Sequence, residues 1–212
     1  MIDCGGTDPK NTAVAVINAL GAQGIRRLDG LILTHYDKDH CNGVAYLMEV
    51  IPVKQLYLPD IDPENETRQQ LEKCHIPIKW VTENVLLRLP TGNLKIFSGI
   101  SSQMDNESSL CILFRGENCD ILITGDRSIS GEHTLLEQED IPQLELLVAG
   151  HHGASTSTGL ELLGKCSPGI VAISVGEDNR HGHPSSETLD RLRNAGCVIR
   201  RTDMEGTIIF RG

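Results

Sequence analysis

Short apolar runs alternate with amphipathic stretches along most of the chain. Apolar runs predict strands at 31–33, 53–58, 76–81, 85–89, 94–97, 110–114, 121–124, 144–149, 170–175, 198–201 and 207–210. Helical spacing predicts helices over 11–22, capped by Asn11-Thr12, and over 42–50, 63–74, 128–138, 156–163 and 185–195. The consecutive strands between 76 and 97 are expected to be antiparallel, because turn signals separate them. Elsewhere strands and helices alternate, which is typical of an α/β fold.

The strand at 31–33 is followed at once by four side chains that commonly bind metals. His35, Asp37, Asp39 and His40 fall within six residues. Alternate residues of an extended segment point the same way, so the first three can converge, and a turn into the next helix can add His40. Imidazole and carboxylate are ligands that zinc, manganese and ferrous iron favour. A solvated polar loop is the alternative, but the density of ligands after a buried strand favours a metal site.

Two later strands also end in ligand-type residues. The strand at 121–124 runs into Gly125-Asp126, where a lone carboxylate would usually cap the next helix. Combined with the first cluster, Asp126 could instead bridge two cations about 3.5–4 Å apart. The strand at 144–149 runs into His151 and His152, a pair that favours one metal ligand and one neighbouring contact to a phosphate or a transition state.

A fourth polar cluster, Asn179-Arg180-His181-Gly182-His183-Pro184, follows the strand at 170–175. A His-Pro pair before a helix often only shapes the turn. Together with the other clusters, a functional role is expected for His183 and, less strongly, for His181.

Composition narrows the range of functions. The 212 residues are enough for one large domain, taken as 1–212. A net charge of −10 argues against a broad basic DNA-binding surface, and 3% aromatic residues argue against stacking platforms for single strands. Residues 180–201 hold five arginines against two acids, so this stretch is the better candidate for meeting phosphates.

Cysteine usage and hydropathy bear on the compartment. The seven cysteines are an odd number and widely scattered, so reduced thiols are expected rather than disulfides. No stretch approaches the roughly 18 apolar residues of a membrane span, so a soluble domain without a membrane segment is expected. The first residues, Met1 to Gly6, have the pattern of a strand entering a glycine turn, so we expect a domain excised from a larger protein.

The motifs T-H-Y-D-K-D-H, T-G-D, G-H-H-G-A-S and N-R-H-G-H-P resemble, in this order, those of the metallo-β-lactamase superfamily. More narrowly, they are similar to the C-terminal domain of the ComEC family of bacterial competence proteins. Both the opening I-D-C-G-G and the closing R-T-D-x-x-G-T fit that family, so the resemblance covers nearly the whole chain. It implies the metallo-β-lactamase fold, an αββα four-layer sandwich, here without its first strands.

The resemblance also implies a pair of divalent metal ions, zinc or manganese. It assigns His35 and Asp37 to one ion, Asp39 and His40 to the other, and Asp126 to a bridge between them. Either His151 or His152 completes the second site, and we favour His152 as the ligand and His151 as the substrate contact. Asp39, His151 and His183 are the residues expected to act on the substrate, with His183 near the scissile phosphate.

The sequence departs from the superfamily pattern at two places. Asp37 stands where many members have a second histidine, and residues 106–109 lack a further histidine found before the T-G-D strand. The first site therefore has one neutral ligand fewer, which leaves open its occupancy and its preference for zinc or manganese.

The implied activity is metal-assisted hydrolysis of a phosphodiester, most directly of DNA during competence-linked uptake, beside channel domains of a parent protein in the bacterial membrane. One alternative is hydrolysis of a small phosphodiester such as a phosphorylcholine ester, or of a non-phosphate ester or lactam. Another is a non-catalytic metal-binding module of a DNA-uptake channel. Open coordination positions favour catalysis, because structural zinc sites are usually closed and rich in thiolates.

Overall fold

The computed structural model describes residues 1–100 and 106–210, and these residues form two compact units. The first unit is Met1–Glu83. The second contains Asn84–Ile100 and the described chain from residue 106 onward.

The first unit is a small parallel sheet with helices. Its elements are α1 (Pro9–Ala22), β1 (Leu31–Ile32), α2 (Lys38–Cys41), α3 (Val44–Val50), β2 (Leu56–Leu58), α4 (Glu66–Glu72) and β3 (Ile78–Trp80). The strands lie in the order β1-β2-β3 and are all parallel. Leu31, Leu33, Leu56 and Leu58 are fully buried and belong to the hydrophobic core of this unit. Burial on both faces explains why these strands are short apolar runs without alternation.

The second unit is built on a seven-stranded sheet. Its elements are β4 (Val85–Leu89), β5 (Gly92–Phe97), β6 (Cys111–Gly116), β7 (Asp120–Ile123), α5 (Ile129–Gln138), β8 (Leu146–Val148), α6 (Leu160–Cys166), β9 (Ile170–Ile173), α7 (Ser186–Asn194), β10 (Val198–Arg201) and α8 (Thr202–Glu205). The strand order is β10-β9-β8-β7-β6-β5-β4. The pairs from β4 to β7 are antiparallel, and those from β7 to β10 are parallel.

This topology gathers the polar motifs of the second unit. Because β7, β8 and β9 are parallel neighbours, the segments that follow them leave from one edge of the sheet. Those segments carry Asp126, the histidine pair within a 3-10 turn at Gly150–Gly153, and the loop that leads to His183.

Three local predictions were wrong. The strand predicted at 76–81 is β3, which pairs parallel to β2 in the first unit rather than joining an antiparallel section. The predicted strand at 207–210 is irregular, because the chain turns into α8 after β10. Asp8, not Asn11-Thr12, caps α1: its carboxylate accepts the Asn11 N–H at 2.7 Å, and Pro9 occupies the first helical position.

All seven cysteines are free thiols, and four of them are buried. Burial raises the pKa of Cys4, Cys41, Cys111 and Cys166 to about 11, so these thiols stay protonated near neutral pH. None of the helices within the described residues is long and apolar enough to cross a membrane.

Candidate metal centre

His35 and His40 lie side by side in the first unit. Their ring centroids are 4.1 Å apart, and 6% and 9% of the two residues is exposed. His35 follows the buried run that contains β1, and His40 lies in α2, whose first turn folds back after Asp37. A ring nitrogen of one histidine therefore lies within 4.8 Å of a ring nitrogen of the other.

A hydrogen-bond network through Asp3 sets the tautomer of both imidazole rings. The Thr34 hydroxyl donates its single hydrogen to Asp3 Oδ2 at 2.8 Å, so its oxygen accepts from His35 Nδ1 at 2.9 Å. His40 Nδ1 lies 2.9 Å from the same Asp3 oxygen and donates to it. Both imidazoles then carry their proton on Nδ1 and a lone pair on Nε2. Metal-binding histidines have this arrangement, in which a carboxylate or another acceptor holds the second nitrogen.

Asp37 and Asp39 are exposed, in contrast to the two histidines. Asp37 begins α2 without using its carboxylate as a cap, and its Oδ2 lies 3.8 Å from His35 Nε2. An Asp39 carboxylate oxygen lies within 4.8 Å of a His40 ring nitrogen. The backbone here passes so close to Gly5 that a Cβ on Gly5 would overlap the backbone of Asp39. The glycine turn at the start of the chain is therefore what allows α2 to lie there.

In the second unit, Asp126 is 3% exposed and follows β7 through Gly125, whose φ is +57°. Its backbone N–H donates to Ser109 Oγ at 3.3 Å. The neighbouring Arg127 is also buried, and its guanidinium donates to the carbonyls of Ser109 at 2.9 Å and Ser98 at 2.6 Å. These bonds fix the turn that presents the Asp126 carboxylate.

His151 and His152 both adopt the left-handed backbone conformation, with φ of +48° and +54°. Two such non-glycine residues in succession are strained. The turn is held by the His151 N–H, which donates to the Gly125 carbonyl at 3.0 Å, and by the Ala154 N–H, which donates to the His151 carbonyl at 2.9 Å. The first of these bonds ties the histidine pair to the turn before Asp126, and His151 Nε2 lies 3.6 Å from Asp126 Oδ2.

The rings of His151 and His152 differ in their tautomer. His152 Nδ1 lies 2.7 Å from the Ser174 carbonyl, which can only accept, so Nδ1 carries the proton and Nε2 the lone pair. His151 Nδ1 instead faces the amide nitrogen of Asn106 at 3.2 Å and accepts from it, which leaves a hydrogen on Nε2. His152 thus has the chemistry of a metal ligand, and His151 that of a hydrogen-bond donor.

His183 lies next to this pair. Its ring centroid is 5.6 Å from that of His151 and 5.8 Å from that of His181, whose ring is nearly parallel to it. Burial, followed by the nearby imidazoles of His151, His152 and His181, lowers the pKa of His183 below its ordinary value. His183 is therefore neutral at pH 7.

The arginine-rich stretch at 180–201 does not form a general phosphate-binding surface. Four of its five arginines bond within the second unit: Arg191 to the carbonyls of residues 155, 157 and 158, Arg193 to Asp190, Arg200 to Glu205 and Arg201 to Asp203. Arg180, next to His181, is exposed and is the remaining candidate from that stretch.

Three supporting residues were not predicted individually from the sequence. Asp3, Thr34 and Asn106 hold imidazoles through bonds to Nδ1. Asp3 lies 37 residues from His40, and Asn106 lies 45 residues from His151. In the sequence, Asp3 stood out only as part of the I-D-C-G-G motif.

The donor set fits a divalent metal. Within each unit, imidazole nitrogens and carboxylates occur together, and in His35, His40 and His152 the nitrogen that would face a cation carries the lone pair. Three imidazoles and several carboxylates suit zinc, manganese or iron, and the donors include no thiolate.

Comparison with known proteins agrees with this chemistry. A model of the metallo-beta-lactamase superfamily matches residues 1–175. The chain belongs to this superfamily. Two solved structures share the fold. The diiron beta-hydroxylase CmlA from Streptomyces venezuelae has a TM-score of 0.57 and 13% identity over 83% of this chain and 44% of CmlA. Zn(2+)-bound PqqB from Methylobacterium extorquens has a TM-score of 0.50 and 12% identity over 81% of this chain and 70% of PqqB. The predicted metallo-β-lactamase fold is confirmed.

The chain is also similar to competence proteins, as its motifs predict. ComE operon protein 3 of Bacillus subtilis (strain 168) is 31% identical over 202 residues, which are 92% of this chain and 26% of that protein. Competence protein ComA of Neisseria gonorrhoeae is 28% identical over 197 residues, 92% of this chain and 27% of that protein. This superfamily member thus spans about a quarter of the length of these relatives.

Proposed function

We propose that this metallo-β-lactamase superfamily chain is a metal-dependent phosphodiesterase that cleaves DNA during competence-linked uptake. The observation that carries the proposal is the set of bonds that hold His35, His40 and His152 through Nδ1 and so leave an Nε2 lone pair on each. Second-sphere bonds of this kind orient imidazoles toward a cation. The hydrolytic character of the superfamily supports the same conclusion.

The ligands divide between two cations in this proposal. His35 and Asp37 would hold one cation, Asp39, His40 and His152 would hold the other, and Asp126 would serve both. Each ligand is an imidazole or a carboxylate, which fits zinc and manganese equally well. When bound, the cations supply Lewis acidity and lower the pKa of a water ligand toward 7.

The remaining side chains act on the substrate. His151, with its hydrogen on Nε2, donates to a phosphate oxygen, and the neutral His183 donates to the charge that develops on the same group. Asp39, whose side chain is exposed, faces the substrate as well as the second cation. His151 and His183 thus position the phosphate without binding a cation, whereas Asp39 would do both.

DNA is the substrate that the relatives favour. One relative is named Competence protein ComA, and another, from Haemophilus influenzae, is named Recombination protein 2. If the chain is part of a longer protein like these relatives, channel domains in the bacterial membrane would deliver the strand. A net charge of −10 repels DNA over distance, so binding depends on the local positive charge of the cations.

Turnover assays test the proposal. Cation-free protein is given manganese or zinc and then single-stranded DNA, duplex DNA or bis-p-nitrophenyl phosphate. We expect cleavage of DNA and of the small diester, and loss of both in Asp126→Asn, which keeps the volume of the side chain but removes its charge.

His133→Ala is the matched control. His133 is exposed on α5, where it pairs with Glu161 at 2.8 Å, so its removal should leave turnover unchanged. Cleavage of the small diester without DNA would favour a small phosphodiester as the natural substrate. No cleavage of any diester would favour a non-catalytic metal-binding module.

A further inference from the structure

The loop between β9 and α7 carries His183 and is attached to the rest of the second unit at its far end. A Cβ on Gly153, the residue after the histidine pair, would lie 2.7 Å from Pro184 Cβ. The Ser185 N–H donates to the Gly153 carbonyl at 3.0 Å. Residues 184 and 185 therefore rest directly on the segment that carries His151 and His152.

The middle of the same loop is held by one side chain, that of Asn179. Its Nδ2 donates to the His183 carbonyl at 2.6 Å and to the Gly176 carbonyl at 3.3 Å. Its Oδ1 accepts the His183 N–H at 2.8 Å. The amide of Asn179 thus satisfies both backbone groups of His183, as a neighbouring strand would, and ties the start of the loop to its end.

The loop needs such a support because its backbone is irregular. Asp178 and Gly182 have φ of +54° and +68°, and no helix or strand covers residues 174–185. The ring of His183 nevertheless lies in a defined place, 5.6 Å from the ring of His151. A small rotation of the His183 backbone would displace its ring by more than a hydrogen bond tolerates.

We propose that Asn179 is a positioning residue that sets the His183 imidazole against His151 by clamping the backbone of His183. The inference rests on the proposed function as far as it concerns turnover. It adds a residue whose effect passes through His183 and that touches neither cation nor substrate. The motif Asn179 to Pro184 is then one device, in which the first residue places the fifth.

Asn179→Ala removes all three bonds, while Asn179→Asp keeps the acceptor for the His183 N–H and replaces the donors with an oxygen that faces two carbonyls. We expect both variants to keep the metal content and fold of the wild type and to lower kcat on bis-p-nitrophenyl phosphate by roughly 10–100-fold, as misplaced catalytic groups do. Asn194→Ala, an exposed asparagine at the end of α7, is the matched control and should change neither.

A double-mutant cycle separates positioning from a general structural role. In a His183→Ala background, Asn179→Ala should add almost nothing to the loss, because the group that it places is gone. A full additional loss in that background would overturn the inference, as would an unchanged kcat in both single variants.

A second measurement does not depend on activity. By NMR, the wild type should show contacts between the His183 and His151 rings and slow exchange of the His183 amide hydrogen. Asn179→Ala should lose both while His151 and Asp126 keep their signals. If the wild type cleaves no diester, the proposed function fails and this readout alone decides: persistence of both features in Asn179→Ala overturns the inference, and their loss supports it.

Discussion

The two left-handed histidines in succession are the most unusual residues of the candidate centre. Each non-glycine residue in this conformation costs about 1–2 kcal/mol, so the turn is maintained against its own backbone preference. The consequence is that adjacent side chains point to different partners: His152 bonds to Ser174, and His151 faces Asn106 and Asp126.

This difference predicts separate effects of removing each ring. His152→Ala should lower the bound zinc or manganese of the purified protein by about one ion, because a ligand is lost. His151→Ala should keep the metal and lower turnover by about 10²–10³, the usual effect of losing one donor to a developing charge. Metal analysis beside diester turnover measures both. Equal metal loss in the two variants would contradict the assignment of their roles.

Glu132 is a second unusual residue, a carboxylate that is 1% exposed on α5. Its two oxygens accept the N–H groups of Thr158 at 2.7 Å and Gly159 at 2.8 Å, in the segment after the histidine pair. Burial raises the pKa of Glu132 to about 7, although these bonds oppose the shift. The folded state therefore binds a proton more tightly than the unfolded state, whose carboxyl titrates near 4.5.

Between about pH 4.5 and 7 the folded state holds more protons, so the contribution of Glu132 to stability falls as the pH rises, by about 3 kcal/mol in all. Glu132→Gln has no such titration. Relative to the wild type, this variant should therefore become more stable by roughly that amount from pH 5 to pH 8.

Denaturant unfolding at the two pH values measures this difference. Glu117→Gln, at an exposed glutamate in the hairpin between β6 and β7, is the control and should show little dependence on pH. A wild-type protein that gains stability over Glu132→Gln as the pH rises would show that the carboxylate is stabilised when ionised, contrary to this account.

At the level of elements, the site depends on loops that leave one edge of the parallel part of the larger sheet. Gly153 shows how closely these loops approach one another. Its φ is +82°, and Ile173 Cγ2 and Pro184 Cβ would lie 3.4 Å and 2.7 Å from an added Cβ. Only glycine fits both the conformation and the space.

Gly153→Ala should therefore lower the free energy of unfolding by about 1–3 kcal/mol and displace Pro184 together with the His183 loop. The matched control should have the opposite effect on stability. Gly164 lies in α6 with nothing within 4 Å of an added Cβ, so Gly164→Ala should stabilise the protein by about 0.5–1 kcal/mol. Chemical denaturation of both variants tests the pair, and a tolerated alanine at 153 would show that the two loops do not constrain each other.

The elements and ligand-bearing loops were predictable where the signal is local. The bounds of β4 and β10 match the apolar runs, and the strands before Asp126 and His151 are apolar runs followed by polar residues. The supporting bonds were not predictable, since Asp3 reaches His40 across 37 residues and no local pattern encodes that contact. The sequence 207–210 is a short, mostly apolar run like that of a strand, but α8 turns the chain away after Arg201.

At the scale of the molecule, the net negative charge opposes the binding of DNA that the proposed reaction requires. A protein of net charge −10 repels a polyanion, and the arginines of residues 180–201 are largely engaged within the second unit. The attraction for phosphate would therefore have to come from the cations. Without the cations, the protein should neither bind nor cleave DNA. With the cations bound, added salt should weaken DNA binding only modestly.

The most direct test of the central claim is a titration of cation-free protein with manganese, and separately with zinc, in which bound metal and cleavage of bis-p-nitrophenyl phosphate are followed in the same sample. The account predicts no cleavage before metal is added and a rate that rises until about two ions are bound per chain. Asp126→Asn should bind fewer ions and stay inactive. Tight binding of both ions without cleavage of this diester or of DNA, or cleavage by the cation-free protein, would contradict the account.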